Sequence, residues 1–283
     1  MALPADARPH RNLLRLLAFL SAANRGQSMF STEFLIYVAL GFVAQLIDGA
    51  LGMAYGVIGT SALIATGTPP ALASASVHAA EIVTTGLAGA SHAWHKNVDW
   101  SLFKRLAPAG VVGGVLGAYV LVELPETTVK WFVVCYLFVM AILIARRILT
   151  AHKERIKSAE QKERIMPAIP LGAAGGFCDA MGGGWGPIVT PALIARGDTP
   201  RHSIGSVSLA EFFVTVAISA AFFTTLDLST YGHVVLGLIV GGAIAAPLAG
   251  FLIRVVHPRA AMIMIVTLIF ALATYNLVRL VLA

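Results

Sequence analysis

The chain has 283 residues, 58% of them hydrophobic and only 12% charged. Its net charge is +6, its mean hydropathy is +0.82, and an ordinary soluble domain has about a quarter of its residues charged. With too little polar surface to cover a soluble core, it cannot be a soluble globular enzyme, a disordered protein or a disulfide scaffold, and it reads as an integral membrane protein of about eight to ten membrane-entering segments.

Residues 1–28 form a basic tail with Arg8, Arg11, Arg15 and Arg25 and a short apolar run. It reads as an amphipathic helix lying on the membrane surface. An apolar stretch from Phe34 to about Thr66 follows, broken at Asp48-Gly49-Ala50-Leu51-Gly52. Helices are expected at Ala71 to Trp94, Leu106 to Val122 and Val129 to Ala145, with a basic loop at 95–105 and an acidic turn at Glu123 to Glu126. The only long hydrophilic segment, 148–166, then divides the chain into a first membrane half, 29–147, and a second, 167–283. The second half opens with apolar 167–196, broken at Asp179 to Gly186. Helices are expected at about 203–224, 231–253 and 260–281.

The halves are copies. Shifting the first by 130 residues superposes Gly52, Gly56, Ile58, Thr60, Gly67, Pro70, Ser76, Val77 and Glu81 on Gly182, Gly186, Ile188, Thr190, Gly197, Pro200, Ser206, Val207 and Glu211. One deleted residue also aligns Asp48 with Asp179. Composition bias supplies chance Ala, Leu and Gly matches, but not Thr, Pro, Ser and Glu in register. Duplicated membrane folds with matching helix breaks point to secondary transporters, whose substrates sit at mid-membrane between the breaks.

Loop charge sets the orientation. Basic loops mark the cytoplasmic face, which places 95–105, 146–166, 196–202 and 254–259 inside and 123–128 and 225–231 outside. The equivalent Gly67 and Gly197 turns then face opposite sides, so the repeats are expected to be inverted. A parallel four-plus-four arrangement, which would keep the basic tail inside, is the alternative. The fold expected is an all-α polytopic membrane protein with two repeats of about four to five membrane segments each, interrupted by broken or re-entrant helices at the glycine-rich motifs.

Two glycine-rich breaks, each followed by an apolar helix, a Gly-x-x-Pro turn and a Ser-Val-x-x-Ala-Glu helix, resemble the sulfite exporter TauE/SafE family of bacterial membrane permeases. The matching residues are Gly52-Met-Ala-Tyr-Gly-Val-Ile-Gly-Thr60 with Ser76 to Glu81, and Gly182-Gly-Gly-Trp-Gly-Pro-Ile-Val-Thr190 with Ser206 to Glu211. The resemblance covers about residues 32–282 and implies an anion permease of the bacterial cytoplasmic (inner) membrane, more firmly than it implies sulfite. The first motif departs from the family pattern, with Met53-Ala54 where a denser glycine run is typical.

A short helix that starts at a glycine break presents unpaired N–H groups and the positive end of its dipole, which can bind an anion without a fixed cation. The candidate substrate contacts are therefore Gly52, Tyr55, Gly56, Thr60, Ser76 and His78 in the first half. In the second they are Gly182, Gly183, Gly184, Trp185, Gly186, Thr190, Ser206 and Ser208. The glycines of 110–117 and 237–250 are read as close helix packing only. Four acids lie in apolar segments: Asp48, Glu81, Asp179 and Glu211. Ser74, His78, Glu81 and Thr85 share one helical face, matched by Ser208, Glu211 and Thr215, and this stripe is expected to face the other repeat or a wet cavity, not lipid.

Ionised acids would repel an anion, and two readings stand open. Asp48 and Asp179 suit caps of the half-helices. Glu81 and Glu211 suit protonated groups that exchange a proton during transport. The sequence thus reads as a secondary transporter of a small anion, a sulfur oxyanion or organosulfonate, working by alternating access, with proton coupling one of the two readings of its acids. An anion channel or, less well, a membrane-embedded enzyme are the alternatives. The expected partners are a small anion and the lipid bilayer, with no nucleic acid, no cofactor and no metal site.

Overall fold

A computed structural model describes residues 31–51, 53–157, 167–195, 198–255 and 258–282. The tail read as a surface helix, the second part of the hydrophilic linker and Gly52 lie outside them. Among the described residues ten α-helices follow one another: α1 Thr32–Leu51, α2 Tyr55–Ala65, α3 Pro70–Trp94, α4 Trp100–Glu123, α5 Glu126–Lys157, α6 Ala168–Gly182, α7 Trp185–Ala195, α8 Pro200–Thr225, α9 Gly232–Val255 and α10 Pro258–Leu282. Among the described residues there is no strand. Parts of α4, α5, α8 and α10 are long and apolar enough to cross a membrane by length and composition. The 11-residue α2 and α7 rise only about 16 Å, half a hydrocarbon core.

The helix ends have local causes. Pro70 and Pro200 open α3 and α8 at the first helical position, where the missing N–H costs nothing. Asp99 caps α4 by accepting from the N–H groups of Ser101 and Leu102. That helix therefore starts inside the segment expected to be a basic loop. The α5 backbone runs on past Arg147 to Lys157, because no glycine or proline interrupts residues 126–157.

The halves interlock by exchanging partners: α1 packs along α9, α6 packs along α4, and α3 packs against α8. Glycine makes the first two pairings close. A Cβ on Gly41 would lie 2.7 Å from the Leu238 Cα, and one on Gly172 would lie 2.8 Å from the Leu106 carbonyl oxygen. Gly110, Gly113, Gly114, Gly117, Gly237 and Gly241, all expected to serve packing, lie as close to their neighbours. Tyr37, Gly41 and Gln45 meet Gly237, Leu238 and Gly242 in rising order, so α1 and α9 run parallel. Leu106, Gly110 and Gly117 meet Gly172, Gly176 and Phe177, so α4 and α6 do too.

The ends of the short helices show which way the chain turns. Glu33 and Tyr37 at the start of α1 line one pocket of about 530 Å³ together with Thr66 and Thr68 after α2 and His233 at the start of α9. Arg279, near the end of α10, donates to the Ala65 carbonyl at 2.9 Å. The chain thus enters through α1 and leaves α2 on the same side of the molecule. At the other side, Arg201 at the start of α8 donates to Asn97 Oδ1 at 2.6 Å and to the His95 carbonyl at 3.2 Å, beyond the end of α3.

Candidate functional site

Each break is built the same way. An aspartate in the last turn of the incoming helix reaches across the interruption and accepts from the first N–H of the half-helix. Asp48 Oδ1 takes the Tyr55 N–H at 3.3 Å, and Asp179 Oδ1 takes the Trp185 N–H at 3.0 Å. These residues lie further back than a conventional N-cap, and Ala54, which occupies that position before α2, makes no side-chain cap. The capping function is nevertheless met, since a carboxylate sits at the positive end of each half-helix.

The backbone turns differently in the two breaks. Gly183 has φ +84°, a left-handed conformation that glycine adopts without strain. Ala54 holds φ +113°, which costs a residue with a Cβ about 1–3 kcal/mol. The two breaks touch each other: a Cβ on Gly56 would lie 2.6 Å from the Gly183 Cα. The first aromatic of each half-helix anchors it to a helix of the surrounding bundle. Tyr55 Oη donates to the Leu238 carbonyl at 3.3 Å, and Trp185 Nε1 donates to the Val207 carbonyl at 3.2 Å. Gly110 leaves room for the Trp185 ring, since a Cβ there would come within 2.6 Å of it.

The polar stripe of α3 faces inward, as its spacing predicts. Ser74 and His78 are wholly buried and Glu81 is 5% exposed. His78 Nδ1 lies 2.8 Å from the Ser74 carbonyl oxygen, and His78 Nε2 lies 3.4 Å from Asp179 Oδ2. The Ser74 hydroxyl donates to the Ala180 carbonyl at 2.7 Å, so α3 is clamped to the end of α6. The Glu81 carboxylate faces the Gly56 N–H, the second of α2. Thr84 and Thr85 turn their hydroxyls back to the Glu81 carbonyl. Glu211, on α8, lies within electrostatic reach of Asp48, Glu81 and Asp179. The four acids expected as repeat-related pairs therefore form one cluster, with His78 as its basic member.

The candidate hydroxyls do not all join it. Ser206 is tied to the α3–α4 connection, where its Oγ accepts from the Asp99 N–H at 2.8 Å. Ser208 is half-buried. Thr60 and Ser76 are buried, and neither hydroxyl has a hydrogen-bond partner. Thr190 is buried, as are Gly182, Gly183, Gly184 and Gly186. Sequence reasoning missed Tyr136. This α5 residue puts its hydroxyl against Gly184, buried and without a hydrogen-bond partner. Nothing in the sequence marks it, because one tyrosine in an apolar helix looks like any membrane aromatic. Among the described residues, no group of three or more His, Cys, Asp or Glu side chains is arranged to hold a metal ion.

The sulfite exporter TauE/SafE family matches residues 37–276, which span both breaks and every helix of the cluster. The chain belongs to this family. A relative from Bacillus subtilis (strain 168), described as "Probable membrane transporter protein YtnM", is 40% identical over 230 residues, covering 80% of this chain and 77% of the relative. No solved structure matches. As a TauE/SafE member with several apolar helices, the chain is a multi-pass membrane protein of a transport family.

Proposed function

We propose that the protein is a secondary transporter of a small anion, a sulfur oxyanion or organosulfonate, that binds between the two glycine breaks and crosses by rocking of the two halves. The observation that carries this reading is the contact of the breaks: two half-helix N-termini, from different repeats, meet backbone to backbone inside the bundle. The family's name supplies the substrate class. The absence of a Gly-x-x-x-x-Gly-Lys-Ser/Thr phosphate loop from the sequence favours a gradient as the driving force.

The capping carboxylates recast the difficulty of acids beside an anion. Asp48, Asp179 and Glu81 face the very N–H groups that an anion would use. In this state they act as internal anions, and a substrate oxyanion competes with them for the same donors. Loading therefore needs an acid to lose its charge or move aside, which makes the proton the natural coupling ion.

The topology that fits this reading is inverted. With α1–α2 and α6–α7 as re-entrant pairs, each half makes three full crossings, and an odd number starts the second half on the opposite side. The shared pocket of Glu33 and Thr66 and the Arg279–Ala65 bond support the re-entrant pair in the first half. The basic side, with Lys104, Arg105, Arg146 and Arg201, is then cytoplasmic.

The test is flux into liposomes bearing the purified chain, with sulfite, sulfate, thiosulfate, sulfonates and small carboxylates, alongside thermal-shift binding. Saturable uptake of a sulfur oxyanion or sulfonate is expected. No response from any sulfur oxyanion or sulfonate overturns the substrate class, conductance without saturation makes the protein a channel, and turnover without translocation makes it an enzyme.

A further inference from the structure

We propose that His78 and Asp179 hold one shared proton, that this proton is the coupling ion, and that it travels in the same direction as the anion. The proposal rests on the transporter reading above and moves the coupling site from the glutamates to the pair that joins the repeats.

The geometry requires a proton there. The Ser74 carbonyl oxygen, 2.8 Å from His78 Nδ1, can only accept, and the Ser74 hydroxyl, 3.2 Å from the same nitrogen, gives its hydrogen to the Ala180 carbonyl at 2.7 Å, so Nδ1 carries a hydrogen. In a neutral ring Nε2 is then a bare acceptor. It faces Asp179 Oδ2, another acceptor, at 3.4 Å, and both atoms are buried with no other hydrogen-bond partner. Two lone pairs facing each other away from water are unfavourable. One proton between them, on either atom, removes the conflict. No larger ligand is needed, and the contact of Gly56 with Gly183 leaves the breaks tightly packed.

The same proton controls the half-helix. Asp179 Oδ1 holds the Trp185 N–H at 3.0 Å. With the proton on His78, Asp179 is charged and competes with substrate for that N–H. With the proton passed to Oδ2, His78 becomes neutral and accepts from the new carboxyl O–H. Asp179 loses its charge, and its neutral Oδ1 holds the Trp185 N–H more weakly, so an oxyanion can displace it. Without the shared proton, the site presents an unbalanced carboxylate that repels the anion. Anion and proton therefore bind together.

The groups facing the pair bias it in one direction. Glu81 on α3, Asp48 on α1 and Glu211 on α8 are all acidic. Tyr136 on α5 and Cys178 on α6 lie within electrostatic reach of Asp179. The Phe222 ring lies 6.3 Å from the His78 ring. The acids hold a proton within the cluster, and His78 is the group that can carry it as a cation. The device exists at one break only: the repeat places Ser208 where His78 would recur.

Two measurements test the proposal. In the first, the full chain in liposomes with an internal pH dye is given an inward sulfite gradient. Wild type should acidify the interior, and an imposed inward proton gradient should speed uptake at least tenfold. His78→Gln and Asp179→Asn should each bring the ratio of protons to sulfite to zero, whatever their residual sulfite exchange. The double variant H78Q/D179N should recover exchange relative to either single variant, because no unpaired buried charge remains, and should still move no protons. Sulfite flux without proton movement in wild type, or His78→Gln with wild-type coupling, overturns the proposal and leaves the carrier reading standing. Wild type that moves none of the anions overturns both. The second measurement needs no transport: ring nitrogen NMR of histidine-labelled protein should show His78 Nε2 protonated or hydrogen-bonded at neutral pH, and Asp179→Asn should alter that signal. A bare, unbonded Nε2 in wild type overturns the proposal.

Discussion

The two breaks are built to one plan, yet they differ in what surrounds them. Both keep the aspartate that bridges the interruption, and both keep an aromatic that hangs the half-helix from the bundle. The first turns through a strained alanine and has a glutamate facing its second N–H. The second turns through a glycine, pairs its aspartate with a buried histidine, and has a partnerless tyrosine hydroxyl against it. The shared parts are those that any interrupted membrane helix needs to satisfy its freed backbone groups. The unshared parts are chemistry, and they concentrate at the second break.

The largest effect should come from the backbone. Gly183→Ala places a side chain at φ +84° and drives its Cβ into the Gly56 backbone. It should abolish transport and destabilise the protein by about 3 kcal/mol or more, combining left-handed strain with overpacking. Ala54→Gly should do the reverse, stabilising by about 1 kcal/mol. Thermal unfolding in detergent reads both, and two changes of the same sign would break the contrast.

Next come the bridging acids. Asp179→Asn alters a group with both the Trp185 N–H and His78 as partners, whereas Asp48→Asn alters the acceptor of one longer bond to Tyr55. Asp179→Asn should cost about 3 kcal/mol, in the range for breaking a buried pair, and Asp48→Asn about 1–2 kcal/mol. Equal losses would mean that His78 contributes nothing to the fold.

Tyr136→Phe should leave stability unchanged or raise it by up to about 1 kcal/mol, because it removes a buried hydroxyl that has no partner. If that hydroxyl serves the substrate, KM for sulfite should rise several-fold with the fold intact. An unchanged KM would return Tyr136 to simple packing.

The smallest effect on stability tests the topology. Thr66→Cys and Thr199→Cys in a background without Cys135 and Cys178 should be labelled from opposite sides of the membrane, at a stability change of only a few tenths of a kcal/mol for exposed positions. Labelling from one side would favour the parallel arrangement.

Much of this was legible in the chain itself. The scarcity of charge, the shift of 130 residues and the two glycine runs located both half-helices within a few residues of α2 and α7. The i, i+3 and i+4 spacing from Ser74 to Thr85 identified the inward face of α3, because helical geometry alone decides which side chains share a face. Ser206 shows where that reasoning stopped. Its repeat partner and its polarity suggested a substrate contact, and instead its hydroxyl binds the backbone of Asp99, a loop that no periodicity brings near it. Tyr136 shows the opposite failure, since its partner-free hydroxyl carries no trace in an apolar helix.

By itself the sequence determined that this protein lies in a membrane, that it is a duplicated bundle, where its helices break and which acids stay in the apolar segments. These follow from composition, period and repetition, all of which are local or translational properties of the chain. Only the tertiary structure decided that the breaks meet at Gly56 and Gly183, that the four acids make one cluster, and that His78 faces Asp179. The physical reason is that a buried polar group is defined by what stands across from it, and that partner lies in the other half of the chain.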